Sequence, residues 1–383
     1  MKKILLIVLW FFSLVSLVSI GFSTDISACQ TINSADYYNI TAPINSVAST
    51  CFTVQSDDVS INCNNFLVSG NPSNGAFVHI ASTAYKNLSI YNCGVSDFDY
   101  GVLVSGASSV TYSSNITLEN LSFENINLFP AVDVRYYRGV QIKNISVKDS
   151  LNGAFNLINI ELIDRVNFVE DIYVENVSEF SVASIPSVFY TESSQNTLFN
   201  NIEIIGNGVD TAFGGNIVRD NIFSNIDVIN FNSGFNLVSS YMDNFTNINI
   251  SDVSYGIYLD ASRNNLFENS YVGASLVSIN LSPGGLGNDG NNNAFLNSYL
   301  GNYSNIFSDD WTKTTPNNFT GNTYLAGTQL STCFDNPTNL SCEIAGPVIP
   351  AASSGSAISV ASLPGIGVVS VFVFILFVGG FLI

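Results

Sequence analysis

Acid–base chemistry needs carboxylates or an imidazole held close to a basic partner, and the sequence offers few places for that. Its one histidine, His79, lies in Phe77-Val-His-Ile80 and alternates with apolar neighbours, so on a strand it faces outward to solvent. Asp97-Phe-Asp99 puts two carboxylates on one strand face, a spacing that could grip calcium or form an acid–base pair. With no third ligand in view, a turn contact is the plainer reading. Gly284-Gly-Leu-Gly-Asn-Asp289 matches the first six positions of the calcium-binding nonapeptide, but Asn291 stands where that repeat wants a large apolar residue. One histidine, and one methionine beyond the initiator, cannot assemble a soft transition-metal site. No metal and no cofactor are therefore expected, and no residue is given a catalytic role.

The better patch lies in a recurring strand motif. Gly101-Val-Leu-Val, Ala131-Val-Asp-Val, Ala154-Phe-Asn-Leu, Gly234-Phe-Asn-Leu and Gly256-Ile-Tyr-Leu each place a small residue ahead of an alternating strand. On that alternation Asp133, Arg135 and Tyr137 project outward from one strand, Asn156 from the next, and Tyr258 and Asp260 from a later one. Aromatic faces beside polar groups could hold a sugar ring by stacking and hydrogen bonding. Ordinary outward residues of a repeat would look the same.

Such residues must be positioned by the repeat itself. NTLFNNIEI from Asn196, NIFSNIDVI from Asn221, NFTNINI from Asn244, NLFENSYVG from Asn265 and NNAFLNSYL from Asn292 each carry Phe, one residue, Asn, then an alternating strand. The phenylalanines Phe199, Phe223, Phe245, Phe267 and Phe295 are spaced 24, 22, 22 and 28 residues apart, and the last step contains the insertion 282–291. Two or three short strands per unit, with no helical period, define one coil of a parallel β-solenoid. Coils stack about 4.8 Å apart, so Asn201, Asn225, Asn247, Asn269, Asn297 and Asn322 should form a ladder at one turn, with upstream counterparts Asn87, Asn120 and Asn144. Asn suits it because it tolerates the left-handed backbone of a tight turn and its amide can bond the next rung.

Here the chain resembles the right-handed parallel β-helix proteins of the pectin-lyase-like superfamily, particularly NosD-like, carbohydrate-associated repeats of prokaryotic surface proteins. The likeness is carried by Cys51-Phe-Thr-Val-Gln-Ser-Asp-Asp-Val-Ser-Ile-Asn-Cys63-Asn-Asn-Phe-Leu-Val-Ser-Gly70, by Gly75-Ala-Phe-Val-His-Ile80 and by Asn87-Leu-Ser-Ile-Tyr-Asn-Cys93. It implies an all-β, single-stranded right-handed parallel β-helix of about 9–10 coils. It is specific for fold and weak for function, because one solenoid hosts many activities. The hydrolases of that group carry Asn-Thr-Asp, Asp-Asp and Gly-His-Gly motifs. Here His79 lacks the flanking glycines, and Asp57-Asp58 and Asp309-Asp310 lack the expected neighbours.

The remaining features place the chain outside the cell. Lys2 and Lys3 precede an apolar run, so 1–24 reads as a secretory signal, and 363–383 is long and apolar enough for a transmembrane anchor. Between them the sequence predicts an N-terminal cap at 25–50, the β-helix at 51–327, a disulfide-closed cap loop at 328–344 and a flexible stalk at 345–362. Six cysteines in an exported chain should be oxidised; the expected pairing is Cys29–Cys51, Cys63–Cys93 and Cys333–Cys342, one of several that six cysteines allow. Asn39, Asn115, Asn176, Asn280, Asn302, Asn318 and Asn339 head glycosylation triplets. Thirty acidic against 11 basic residues give a net charge of −19, which would repel nucleic acid. The reading is a membrane-anchored extracellular surface protein that adheres to or binds glycans, cell-surface or environmental, without catalysis. The alternatives are a polysaccharide lyase or hydrolase and a structural envelope component.

Overall fold

The computed structural model describes residues 23–71, 75–80, 85–105, 113–160, 167–181, 183–208, 210–282, 292–301, 322–325 and 348–349. They form a parallel β-solenoid of about ten turns. Among them no helix is long and apolar enough to cross a membrane. The apolar segment 363–383, the stalk and the cap loop with Cys333 and Cys342 lie outside the described residues, as does 1–22 of the expected signal. Ser23 and Thr24 already belong to the first strand, Ser23–Ile26, and the segment expected as a cap contributes strands that pair into the stack.

Each coil adds one rung to three ladders. The first runs Ile61, Ile90, Leu118, Ile142, Val169, Phe199, Phe223, Phe245, Phe267, Phe295. The second runs Val95, Phe123, Val147, Val174, Ile204, Val228, Ile250, Val272, Leu300. The third runs Val54, Ile80, Val104, Val134, Leu157, Thr191, Gly215, Leu237, Leu259, Leu281. Period-two alternation turns these residues inward, where nearly all are buried. Phe199, Phe223, Phe245 and Phe267 stack with centroids 4.7, 4.5 and 4.2 Å apart. A second stack, Phe155, Phe189, Phe213 and Phe235, descends from the third ladder. The two meet edge to face at Phe213–Phe223 and Phe235–Phe245, so offset and T-shaped contacts fill one core. Cys29–Cys51 and Cys63–Cys93 are disulfides that tie neighbouring coils at the amino-terminal end.

The asparagine turns are richer than one ladder. Asn92, Asn120, Asn144, Asn201, Asn225, Asn247, Asn269 and Asn297 all adopt positive φ between the first and second ladders. Asn120 donates to Asn92 at 2.9 Å, Asn144 to Asn120 at 2.8 Å and Asn247 to Asn225 at 3.2 Å. Asn201 bonds Asp171 and Asn225 bonds Asn200, so the run is interrupted. Asn87 belongs to a different turn, where it donates to Asp58 and accepts from Asn115. Asn322 departs from the expectation too. It is buried and accepts the Ser298 N–H, continuing a column in which Ser298 Oγ accepts the Ser270 N–H, one residue past the left-handed turn.

A further polar column runs inside the wall. Asn167, Thr197, Asn221, Asp243, Asn265 and Asn293 are at most 1% exposed. The Thr197, Asn221, Asp243 and Asn265 N–H groups each donate to the side-chain oxygen one coil on. The amides of Asn221, Asn265 and Asn293 donate to the carbonyls of Ser194, Ser240 and Ser262. Buried polar groups are tolerable here because each rung satisfies the next.

Candidate functional site

The outer face of the third ladder carries two aligned rows. One runs His79, Leu103, Asp133, Asn156, Tyr190, Gly214, Asn236, Tyr258, Asn280. The other, two residues on along each strand, runs Ser105, Arg135, Ile158, Glu192, Asn216, Val238, Asp260.

Asp133 and Arg135 are neighbours on the strand Val132–Arg135. Arg135 Nε lies 2.7 Å from Asp133 Oδ1 and Nη2 2.6 Å from Oδ2, a bidentate fork. The carboxylate is 0% exposed while the guanidinium side chain is 36% exposed, so the pair is anchored at its acid end and open at its base end. Hydrogen bonding to Asp133 holds the guanidinium pKa above its usual value, so Arg135 stays charged. The fork leaves Nη1 and the outer hydrogen of Nη2 for an incoming acceptor. On the next coil Asn156 Nδ2 donates to Asp133 Oδ1 at 3.1 Å. Its own Oδ1 is buried with no hydrogen-bond partner among the described residues.

Aromatic groups flank the pair. Tyr100 and Phe129 stack with centroids 3.9 Å apart. Burial, and then the Asp133 charge, push the Tyr100 phenol up, with Arg135 opposing. Two rungs beyond Asp133, Tyr190 donates to Glu192 at 2.9 Å, and burial raises its phenol strongly. A Cβ at neighbouring Gly214 would sit 2.5 Å from Ser187 Oγ, so the segment 185–187 folds down over this part of the face. His79 is half-buried on the same row, two rungs to the other side, and burial lowers its pKa, which keeps it neutral.

The residues expected outward thus separate into three groups. Asp133, Arg135 and Asn156 come together, although Asp133 and Asn156 are buried rather than solvated. Tyr258 and Asp260 share their rows but stand five rungs from Asp133 and Arg135, roughly 24 Å at the usual strand spacing. Tyr137 is in the core: Tyr136 takes φ 60°, which ends one strand, and Tyr137 opens the next facing inward. Tyr100, Phe129, Tyr190 and Glu192 escaped the sequence reading. Tyr190 and Glu192 follow Val188 instead of the small residue that marked the other strands.

The other candidates are structural. Asp97 sits at a left-handed turn accepting Ser69 and Asn125, whereas Asp99 is buried against the Gly75 N–H, so the two do not share a face. Asp57 and Asp58 accept the Lys86 N–H and the Asn87 amide. Among the described residues no three His, Cys, Asp or Glu side chains converge as metal ligands. Asn115 and Asn176 spend their amides on Asn87 and Asp149 in neighbouring coils, which makes them poor glycosylation acceptors. Asn39 bonds Ser23, and Asn280 is half-buried on the third-ladder face. Asn302, Asn318, Asn339, Asp309, Asp310 and 283–291, with most of the glycine-rich insertion, lie outside the described residues.

No family model and no curated protein matches the chain. Among solved structures it is similar to the mannuronan C-5 epimerase AlgE6 A-module of Azotobacter vinelandii, at 10% identity and TM-score 0.38, covering 88% of this chain and 92% of that one. It is also similar to the catalytic domain of a GH87 alpha-1,3-glucanase (10%, TM-score 0.36, 79% and 58% covered) and to the periplasmic alginate epimerase AlgG (10%, TM-score 0.35, 79% and 78%).

Proposed function

We propose that this chain is an exported surface solenoid that binds glycans on the outer face of its third ladder, around Arg135. The observation that carries the reading is the half-open ion pair: a buried carboxylate fixes a guanidinium whose free edge faces out beside the Tyr100–Phe129 stack. A guanidinium only donates, so the sugar substituents it favours are acceptors, a uronate carboxylate or an acetyl carbonyl. At contact distance the overall negative charge matters little, because physiological salt screens beyond about 8 Å. Screening the purified full chain on a glycan array should give hits among uronate-bearing or acetylated glycans that disappear in Arg135→Ala. An array without hits, or hits indifferent to Arg135, would count against the reading.

A second reading, turnover of the bound polymer, is favoured by the titratable groups that share this face. Neutral His79, the high-pKa Tyr190 phenol and Glu192 flank the Asp133–Arg135 pair within two rungs on either side, about 10 Å each way. Incubating the chain with polyuronates and neutral glucans and following new ends or changed stereochemistry decides it; activity lost in both His79→Ala and Tyr190→Phe supports turnover. The carboxyl-terminal segment would hold the solenoid at the outer membrane surface, which membrane fractionation of the full chain against one ending at residue 362 tests.

A further inference from the structure

On another side of the solenoid, beside the second ladder, a groove of about 350 Å³ opens near the carboxyl-terminal coils. That falls within the range of small-molecule sites. Its lining includes Asp252, Ser254, Ser275, Tyr271, Tyr299 and Gly273. The groove arises where two coils lose register: Ser251 pairs with Gly273, Val253 with Ala274 and Tyr255 with Val277, one residue fewer and then one restored. Tyr271 and Tyr299 stack in parallel, 4.7 Å apart. Each ring lies along its own strand over a glycine; a Cβ at Gly273 would come within 2.8 Å of the Tyr271 ring, and one at Gly301 within 2.5 Å of the Tyr299 ring. The glycines therefore leave the floor open where any other residue would lift the rings.

Asp252 supplies the polar end. It takes the left-handed turn position that Asn230 fills one rung earlier, but Asn230 donates to the Gly206 carbonyl and Asp252 cannot. Its exposed carboxylate has no hydrogen-bond or ionic partner among the described residues. Among the described residues that line the groove there is no Lys, Arg or His. Anions are disfavoured by that charge, and one carboxylate is too few oxygen ligands for calcium. A neutral sugar fits: two adjacent hydroxyls can donate to the two carboxylate oxygens, the serine hydroxyls can serve the remainder, and the tyrosines present an apolar wall.

We infer that the Asp252–Tyr271 groove is a second saccharide site, selective for neutral glycosyl units and independent of the Arg135 face. The test is saturation-transfer NMR on the purified full chain with cellotriose, maltotriose and mannotriose, and with trigalacturonate as the acidic comparison. At least one neutral trisaccharide should bind with Kd on the order of 1 mM. Ser275→Trp, which fills the groove from an exposed position, should weaken it about tenfold or more, as should Asp252→Ala, while Arg135→Ala leaves it unchanged. The inference is overturned if no neutral trisaccharide binds at about 10 mM, if Ser275→Trp or Asp252→Ala leaves binding intact, or if Arg135→Ala abolishes it. Loss confined to trigalacturonate in Arg135→Ala would sustain the first face alone and leave the groove judged by its own two variants.

Discussion

The Arg135 face and the Asp252 groove belong to the same solenoid, five rungs apart, yet offer opposite hydrogen-bonding character. The first presents spare donors on a guanidinium whose charge is balanced by a fully buried Asp133; the second presents spare acceptors on a carboxylate left in water. In each, the functional side chain differs from its counterparts on neighbouring rungs: Arg135 lies between Ser105 and Ile158, and Asp252 follows Asn230 beside a register slip. Between Phe199 and Phe267 the core rings stack rung on rung and Asn247 bonds Asn225, which leaves those groups engaged. Both sites sit where side chains on neighbouring rungs stop matching.

That contrast can be broken in graded steps. Asp133→Ala removes both bonds of the fork and the acceptor of the Asn156 amide and, because the guanidinium left behind is partly in water, should cost about 3 kcal/mol of stability in urea unfolding. If the cost is near zero, the anchoring of Arg135 is wrong. Asp243 lies in the scaffold, away from both sites. Burial raises its pKa to about 6 from the usual 3.8. A raised carboxyl pKa means the protonated form fits the fold better. Its contribution is fully present below about pH 4 and is lost as pH rises through about 6. Asp243→Asn, matching the asparagines around it, should therefore stabilise the chain at pH 7 by about 2–3 kcal/mol and flatten that part of the pH profile, with neither sugar site affected.

Asn269→Ala should cost about 1 kcal/mol, because alanine lacks asparagine's tolerance of a left-handed turn. The residue's φ is 52° and it has no inter-rung amide bond among the described residues, so the loss measures backbone strain. Tyr190→Phe should cost about 1 kcal/mol for the Glu192 hydrogen bond, read in the same unfolding curves. Smallest of all, Asp252→Asn, which keeps a side chain suited to the left-handed turn at φ 54°, should stay within about 0.5 kcal/mol of the parent, so that any binding it loses is loss of the site and not of the fold.

The architecture was legible because stacking makes it so. Phe199 to Phe295 sit at the same rung position, and a column of identical residues is visible in a sequence without any coordinates. Asp133, Arg135 and Asn156 were legible as one patch because strand alternation is strict. Tyr137 was not, since one left-handed residue resets the alternation. Glu192 and Tyr190 were hidden by the longer coil that carries the 185–187 segment. The groove left a faint mark, Asn-Ser-Tyr-x-Gly at both Asn269 and Asn297. Its meaning depends on a register slip between coils that no single strand records.

Among the described residues, the two disulfides clamp the amino-terminal coils. A stack in which each coil touches only its neighbours can unzip from an end, and the clamps bias that opening toward the carboxyl-terminal coils. A load entering from the carboxyl end would then peel the solenoid one turn at a time. Each 22-residue turn released would pay out roughly 70 Å of extended chain. Under tension the molecule would act as a spool that yields length in steps, surrendering the Asp252 groove early and the Arg135 face late.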